Sequence, residues 1–306
     1  MPELRYIDAI NEAHRLAMAR DDSVVVMGED VGVKGGVFGA TTGLLEKFGE
    51  GRVIDTPLAE SSIAGVAIGM SVNGLRPIAE FQFADFIHPA FNQIVSEAAR
   101  MRYRSNNGFG CPVVFRAPYG GSHGTALYHS QSIEATYAHV PGIKVVAPYT
   151  PYDAKGMLLA AVADPDPVLF LEHKRMYRLM RGEVPEREYT VPIGPAEVRR
   201  EGKDLSVFAY GWMLHESLQA AETASKEGID AEVVDLRTLA PLDTTTILRS
   251  VAKTNRALIV YEDNRFLGYG AEVAALIAEE GFESLDAPVM RLGGPDVPGV
   301  PFAKTL

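Results

Sequence analysis

Two doubly wound α/β domains in tandem are what this sequence predicts, and three observations carry the prediction. Short β-rich apolar runs alternate with helical patterns along the chain, the mark of parallel α/β architecture. The runs are near-continuous rather than alternating, as expected of strands covered on both faces. At residues 183–194 (Glu-Val-Pro-Glu-Arg-Glu-Tyr-Thr-Val-Pro-Ile-Gly) the pattern breaks into charges and prolines, and a second alternation follows. A first domain over 1–182, a linker over 183–194 and a second domain over 195–306 are expected.

In the first domain strands are expected at 24–27, 53–55, 77–81, 113–116, 144–147 and 168–171. Helical periodicity covers 6–20, 61–73, 89–104, 133–139 and 152–163. In the second, strands at 205–210, 231–235, 257–261 and 288–292 alternate with helices at 214–227, 244–252 and 271–280. Asp243 stands where the N-cap of the 244–252 helix belongs.

The chain has 306 residues, enough for about two domains. Apolar residues at 47% and charged residues at 23% describe a globular protein with a substantial core. A net charge of −11 without any Lys/Arg cluster argues against a nucleic-acid surface. Cys111 stands alone, which excludes intrachain disulfides and cysteine-rich zinc sites and fits a reducing cytosol. The N-terminus lacks an apolar signal core, and the uncharged apolar run 61–75 is too short to span a bilayer. A cytoplasmic protein with no membrane partner is expected.

The most informative stretch is Asp-Thr-Pro-Leu-Ala-Glu-Ser-Ser-Ile-Ala-Gly at 55–65. Glu60 opens a helix whose 63–70 segment has no charge and no long polar side chain, so the helix should be buried against other protein. Such an acid caps the helix, is paired, or works on a ligand. Ligands of parallel sheets bind at strand carboxyl ends. There lie Glu29, the 82–86 run from Gln82 to Phe86, and a Gly-rich loop carrying His123 and His129. A loop histidine can be structural, solvated or part of a substrate site. Phosphate-loop and dinucleotide motifs are absent, and two histidines six apart without H-E-x-x-H make a poor zinc site. Spacing alone reaches an acid and a histidine at strand ends, and no reaction.

Six collinear segments carry a resemblance: Val-Val-Met-Gly-Glu-Asp-Val-Gly (25–32), Asp-Thr-Pro-Leu-Ala-Glu (55–60), Ala-Glu-Phe-Gln-Phe-Ala-Asp-Phe (79–86), Leu-Tyr-His-Ser-Gln-Ser (127–132), Thr-Pro-Tyr-Asp-Ala-Lys-Gly (150–156) and Val-Asp-Leu-Arg-Thr-Leu (234–239). Together they resemble the β subunit of the thiamine-diphosphate-dependent 2-oxo acid dehydrogenase decarboxylating component, the branched-chain and pyruvate dehydrogenase group. The resemblance implies a thiamine-pyrimidine-binding first domain. It also implies a transketolase-like C-terminal domain that supports assembly and docking to a lipoyl acyltransferase core.

By the same resemblance Glu60 matches the glutamate that hydrogen-bonds the aminopyrimidine ring nitrogen, favouring the imino tautomer that takes the thiazolium proton. Glu29, Gln82 and Phe86 line the aminopyrimidine and the channel. Phe86 stands where some relatives have Tyr, so no role for a phenol oxygen carries over. His129 lies near the reacting carbons, orients the 2-oxo acid and assists acyl transfer to the lipoyl arm. Backbone carbonyls at Val113, Ala161, Asp164 and Asp166 fall where relatives bind potassium. The chain has no Gly-Asp-Gly, the motif through which relatives bind the diphosphate with magnesium. That implies an α subunit holding diphosphate and Mg2+, a heterotetramer of two α and two β, and no activity in this chain alone. Branched-chain 2-oxo acids are the favoured substrates, with pyruvate or acetoin dehydrogenase as alternatives. A non-catalytic assembly scaffold is the alternative of a different class. The resemblance further implies a closing helix beyond Leu306.

Overall fold

The structure, a computed structural model, describes residues 1–121 and 126–299. The first half runs β1 (Glu3–Arg5), α1 (Tyr6–Arg20), β2 (Val24–Gly28), α2 (Leu44–Phe48), β3 (Val53–Asp55), α3 (Glu60–Val72), β4 (Arg76–Glu80), α4 (Met101–Arg104), β5 (Val114–Tyr119), α5 (Glu134–Ala138), β6 (Lys144–Val146), α6 (Pro151–Ala163), β7 (Val168–His173), α7 (Met176–Leu179) and β8 (Arg181–Glu183). The second runs β9 (Glu197–Arg200), β10 (Leu205–Ala209), α8 (Gly211–Ser225), β11 (Ala231–Asp235), β12 (Thr238–Ala240), α9 (Thr244–Thr254), β13 (Ala257–Asn264), α10 (Gly270–Glu280) and β14 (Met290–Gly294).

Two sheets organise the chain. A seven-stranded sheet has the order β12-β6-β7-β5-β4-β2-β3, and a five-stranded sheet has the order β14-β13-β10-β11-β9. Every residue of β2, β5 and β7 is buried, because helices cover both faces of the larger sheet. On α1 the buried residues Ile7, Ile10, Ala13, Ala17 and Met18 recur at three- and four-residue steps, so one stripe faces inward. α6 starts with Pro151 at its first turn, and Thr150 Oγ1 caps it by accepting the Asp153 N–H at 3.0 Å. Asp243 caps α9 as expected, its Oδ1 accepting the Thr246 N–H at 3.0 Å. No helix among the described residues is long and apolar enough to cross a membrane.

Three features depart from expectation. The helix expected over 89–104 is broken into a 3-10 turn (Ala84–Ala90), a π turn (Gln93–Ala98) and the short α4. Pro89 inside the first piece has no amide hydrogen to donate, which disfavours a continuous α-helix through that turn. The sheets are mixed rather than wholly parallel. β9 joins the second sheet antiparallel to β11, and β12, from the second half of the chain, joins the first sheet antiparallel to β6. Both are edge strands too short for periodicity to reveal. Finally, β8 pairs with β1, so regular structure runs to Glu183 before the charged stretch begins.

The two halves are also tied by charge. Asp153 of α6 receives Arg199 and Arg237 from the second half, and Arg199 also pairs with the fully buried Asp235 at 2.9 Å. Two of the segments that carried the resemblance, 150–156 and 234–239, therefore meet at this junction.

Candidate active site

The strand order reverses direction around β2. The chain steps from β2 out to β3, then returns to β4 on the other side of β2. A crevice at the carboxyl ends of strands forms at such a switch point. Register places Gly28 beside Asp55 and beside Glu80, so β2, β3 and β4 end level. Glu29, Glu60 and Gln82 follow these three strand ends.

Glu29 is 7% exposed, whereas Glu60 is only half-buried in the first turn of α3. Burial pushes the Glu29 carboxyl above its usual range, and the neighbouring Glu60 and Asp30 carboxylates push it further. Neither Glu29 nor Glu60 makes a hydrogen bond to another described side chain or backbone group. Capping does not account for Glu60: it is the first helical residue, Ala59 occupies the cap, and Ala59 supplies no side-chain bond. Beyond Glu60, α3 carries no charge, and its Ile63, Ala64, Ala67 and Ile68 are buried against the sheet. Asp55 accepts the Gly32 N–H at 2.6 Å and the Val33 N–H at 3.2 Å, which shapes the loop after β2. The Thr56 hydroxyl beside it is buried without a partner among the described residues.

Gln82 Nε2 donates to Asp30 Oδ2 at 3.2 Å, joining the β4 loop to the β2 loop. The same loop supplies Phe83 and Phe86, which bracket the half-buried His129 edge-to-face, with ring centroids at 4.6 and 5.3 Å. Asp85, between them in sequence, accepts the Ser130 and Gln131 amides at 3.2 and 3.3 Å. Glu29, Asp30, Gln82, Phe83, Phe86 and His129 thus form one contiguous chain of neighbours. His123 lies outside the described residues.

Val113, Ala161, Asp164 and Asp166 gather at the opposite ends of the strands. The Val113 and Ala161 carbonyls each accept one backbone bond, from the Val168 and Asp164 amides at 3.0 and 3.2 Å. The Asp164 carboxylate pairs with Lys144 at 2.6 Å, and that of Asp166 with Arg102 at 2.6 Å. No cluster of three or more His, Cys, Asp or Glu able to hold a metal occurs among the described residues.

Sequence reasoning passed over several residues that build this crevice. Arg116, fully buried, donates to both Glu172 oxygens at 2.6 and 2.7 Å and to Glu80 Oε2 at 2.6 Å. This triad joins β4, β5 and β7 near their carboxyl ends; burial raises the Glu80 carboxyl while Arg116 opposes the shift. Lys174 is nearly buried, with its ammonium 5.8 Å from the Phe83 ring centre and without a hydrogen-bond partner among the described residues. Burial lowers it to about 8, against the raising influence of Asp85 and Glu262. The available signal was a Glu-His-Lys run at 172–174 after an apolar strand, which has no reason to be polar unless the strand ends in a crevice.

Residues 3–180 match the family described as transketolase, pyrimidine binding domain, and residues 194–306 match transketolase, C-terminal domain. The chain is 60% identical over 306 residues to the 2-oxoisovalerate dehydrogenase subunit beta of Bacillus subtilis (strain 168), covering 100% of this chain and 94% of that one. This chain belongs to the 2-oxo acid dehydrogenase β-subunit family. Within the family, it is 52% identical over 296 residues to the pyruvate dehydrogenase E1 component subunit beta of the same organism, covering 97% of this chain and 91% of that one. A solved structure described as a split-gene transketolase, an inactive β4 tetramer, superposes with a TM-score of 0.79 at 26% identity. It covers 99% of this chain and 92% of that chain.

Proposed function

We propose that this chain is the β subunit of a thiamine-diphosphate-dependent 2-oxo acid dehydrogenase component that decarboxylates branched-chain 2-oxo acids and acylates lipoyl groups. The observation that carries the reading is the switch-point crevice. Two carboxylates without hydrogen-bond partners among the described residues, Glu29 and Glu60, meet there beside an uncharged helix, with His129 bracketed by Phe83 and Phe86 at the adjoining loop.

The crevice fits the pyrimidine half of the coenzyme: the Glu60 carboxylate and the buried Thr56 hydroxyl are polar groups without a partner among the described residues. When bound, thiamine diphosphate supplies the electron sink for decarboxylation. Glu60 would accept a hydrogen bond from the ring, and its charge counts for more beside an apolar helix than in water. Glu29, its carboxyl pushed above the usual range by burial and by Glu60, would line the aminopyrimidine beside it. Gln82 and Phe86 wall the crevice, and His129 orients the carboxylate of the 2-oxo acid. With no Gly-Asp-Gly in the sequence, the diphosphate and Mg2+ are assigned mainly to an α subunit in a heterotetramer of two α and two β. Carbonyls at Val113 and Ala161, with the backbone at Asp164 and Asp166, are the proposed K+ position. Residues 1–182, 183–194 and 195–306 are read as pyrimidine domain, linker and C-terminal domain, the last docking to a lipoyl acyltransferase core in the cytoplasm.

The test is co-expression with the α subunit and comparison of 3-methyl-2-oxobutanoate with pyruvate. Preference for the branched substrate supports the reading, as does the higher identity to the 2-oxoisovalerate relative. Preference for pyruvate would move the chain to the alternative that the 52% relative favours. Unchanged turnover on Glu60→Gln would leave only an assembly role.

A further inference from the structure

The loop that carries His129 is tied at its neck to the second half of the chain. Gly120 donates its N–H to Gln131 O at 3.0 Å, closing the loop's base. On one side Asp85 holds the Ser130 and Gln131 amides. On the other, Glu262 of β13 accepts the Gly121 N–H through Oε1, while its Oε2 shares a 2.8 Å hydrogen bond with His173 Nε2. A carboxylate only accepts, so His173 donates from Nε2. His173 in turn lies directly under Gly120, whose φ of +81° and lack of a Cβ let the backbone cross the imidazole. The Lys174 N–H completes the base by donating to Tyr119 O at 3.1 Å.

Beside this contact a cavity of about 270 Å³ lined by Ser130, Gln131, Glu262 and Asp263 opens between the far end of the loop and the second half. Where shape leaves room, orientation rests on directional bonds, and Glu262 makes two of them. Burial works against an ionised Glu262, yet the His173 hydrogen bond and the Gly121 N–H hold it below the usual carboxylate range.

We propose that Glu262 is a positioning residue: from the C-terminal half it fixes the neck of the loop at Gly121, and thereby seats His129 against Phe83 and Phe86. The proposal rests on the reading of His129 as the group that meets the 2-oxo acid. It gives the second half of the chain a part in turnover besides assembly.

The experiment uses the assembled α/β protein with Glu262→Ala, Glu262→Gln and Gly121→Pro, the last removing the donor from the other side. Amide hydrogen exchange is followed at residues 119–121 (119 and 120 in Gly121→Pro, which has no amide hydrogen at 121) and 126–132, beside kcat, KM and coenzyme affinity. Glu262→Ala and Gly121→Pro should each speed exchange at the neck about tenfold or more, as expected when a protecting contact is lost. They should lower kcat roughly 10- to 100-fold, the scale of an ångström-sized misplacement, while KM and coenzyme affinity stay within about twofold. Glu262→Gln keeps an acceptor for Gly121 and should recover most of kcat. Unchanged exchange and kcat in both disrupting variants would overturn the proposal. So would a kcat loss that always accompanies a matching loss of coenzyme affinity, the mark of general damage. The exchange comparison needs no substrate, so a wild type inert toward every 2-oxo acid would sink the proposed function while the anchoring is still judged.

Discussion

At position 60 a carboxylate without a partner among the described residues stands in the first turn of a helix that carries no other charge. Replacing it with Gln removes the charge and keeps the shape. Glu60→Gln in the assembled enzyme should lower kcat by about 100-fold or more, the usual weight of a group that manages a proton, with an unchanged melting temperature. Glu134 offers a test of burial itself. It is fully buried, accepts the Tyr210 hydroxyl at 2.8 Å through one oxygen, and leaves the other unpartnered among the described residues. Burial, reinforced by Asp263, pushes it up to about 8. The folded protein therefore holds this proton more tightly than the unfolded chain, whose carboxyl titrates near ~4.3. Its stabilisation is complete below the unfolded value and is lost as pH rises through about 8. Glu134→Gln should flatten the fall in melting temperature across that window, measured by calorimetry at several pH values. The acid at 60 was legible because it interrupts an apolar run. Glu134 was not, since one carboxyl in a short stretch of mixed polar and apolar residues gives no sign that the fold will bury it.

The elements were most legible where a run was long and uniform. α1 and β11 fall on their expected bounds because apolar spacing in one and a β-rich run in the other leave one solution. Short edge strands were illegible: β12 has three residues, and it becomes a strand only because β6 offers an unpaired edge. Its centre, Leu239, is 2% exposed, and its carbonyl accepts the Tyr269 hydroxyl. Leu239→Ala should cost about 2–5 kcal/mol by the loss of buried methyl groups and the cavity left behind, read by urea denaturation. The buried Arg116 makes a sharper case at the strand ends. Arg116→Met should cost about 3–5 kcal/mol, because Glu80 and Glu172 would remain in the core without their cation. A paired Glu80→Gln, Glu172→Gln background should recover much of that loss.

At the scale of the molecule, α3 presents an uncharged surface outward as well as inward. Ser62 and Val66 are exposed on it, the latter to 49%, and Gly65 and Gly69 between their turns add no bulk. A surface of that kind fits the proposed subunit contact beside Glu60 better than it fits water. Val66→Lys should leave the isolated chain's stability within about 0.5 kcal/mol, as exposed changes usually do. It should also prevent co-purification with the α subunit, seen by size-exclusion chromatography. The isolated wild-type chain should show no 2-oxo acid decarboxylation, and addition of the α subunit should restore it.

By itself the sequence determined the two α/β halves, the charged break between them, and the acids and histidine at strand ends. Those depend on local periodicity and on which residue follows an apolar run, both properties of short stretches of chain. Only the tertiary structure decided that the first sheet closes with a strand from the second half. Only it decided that Arg116 sits between two carboxylates, and that Glu262 reaches across to the neck of the His129 loop. Each of these joins residues far apart in the chain. Their pairing is selected by burial and by the need to satisfy charge once the sheets have packed, and no local pattern encodes that choice.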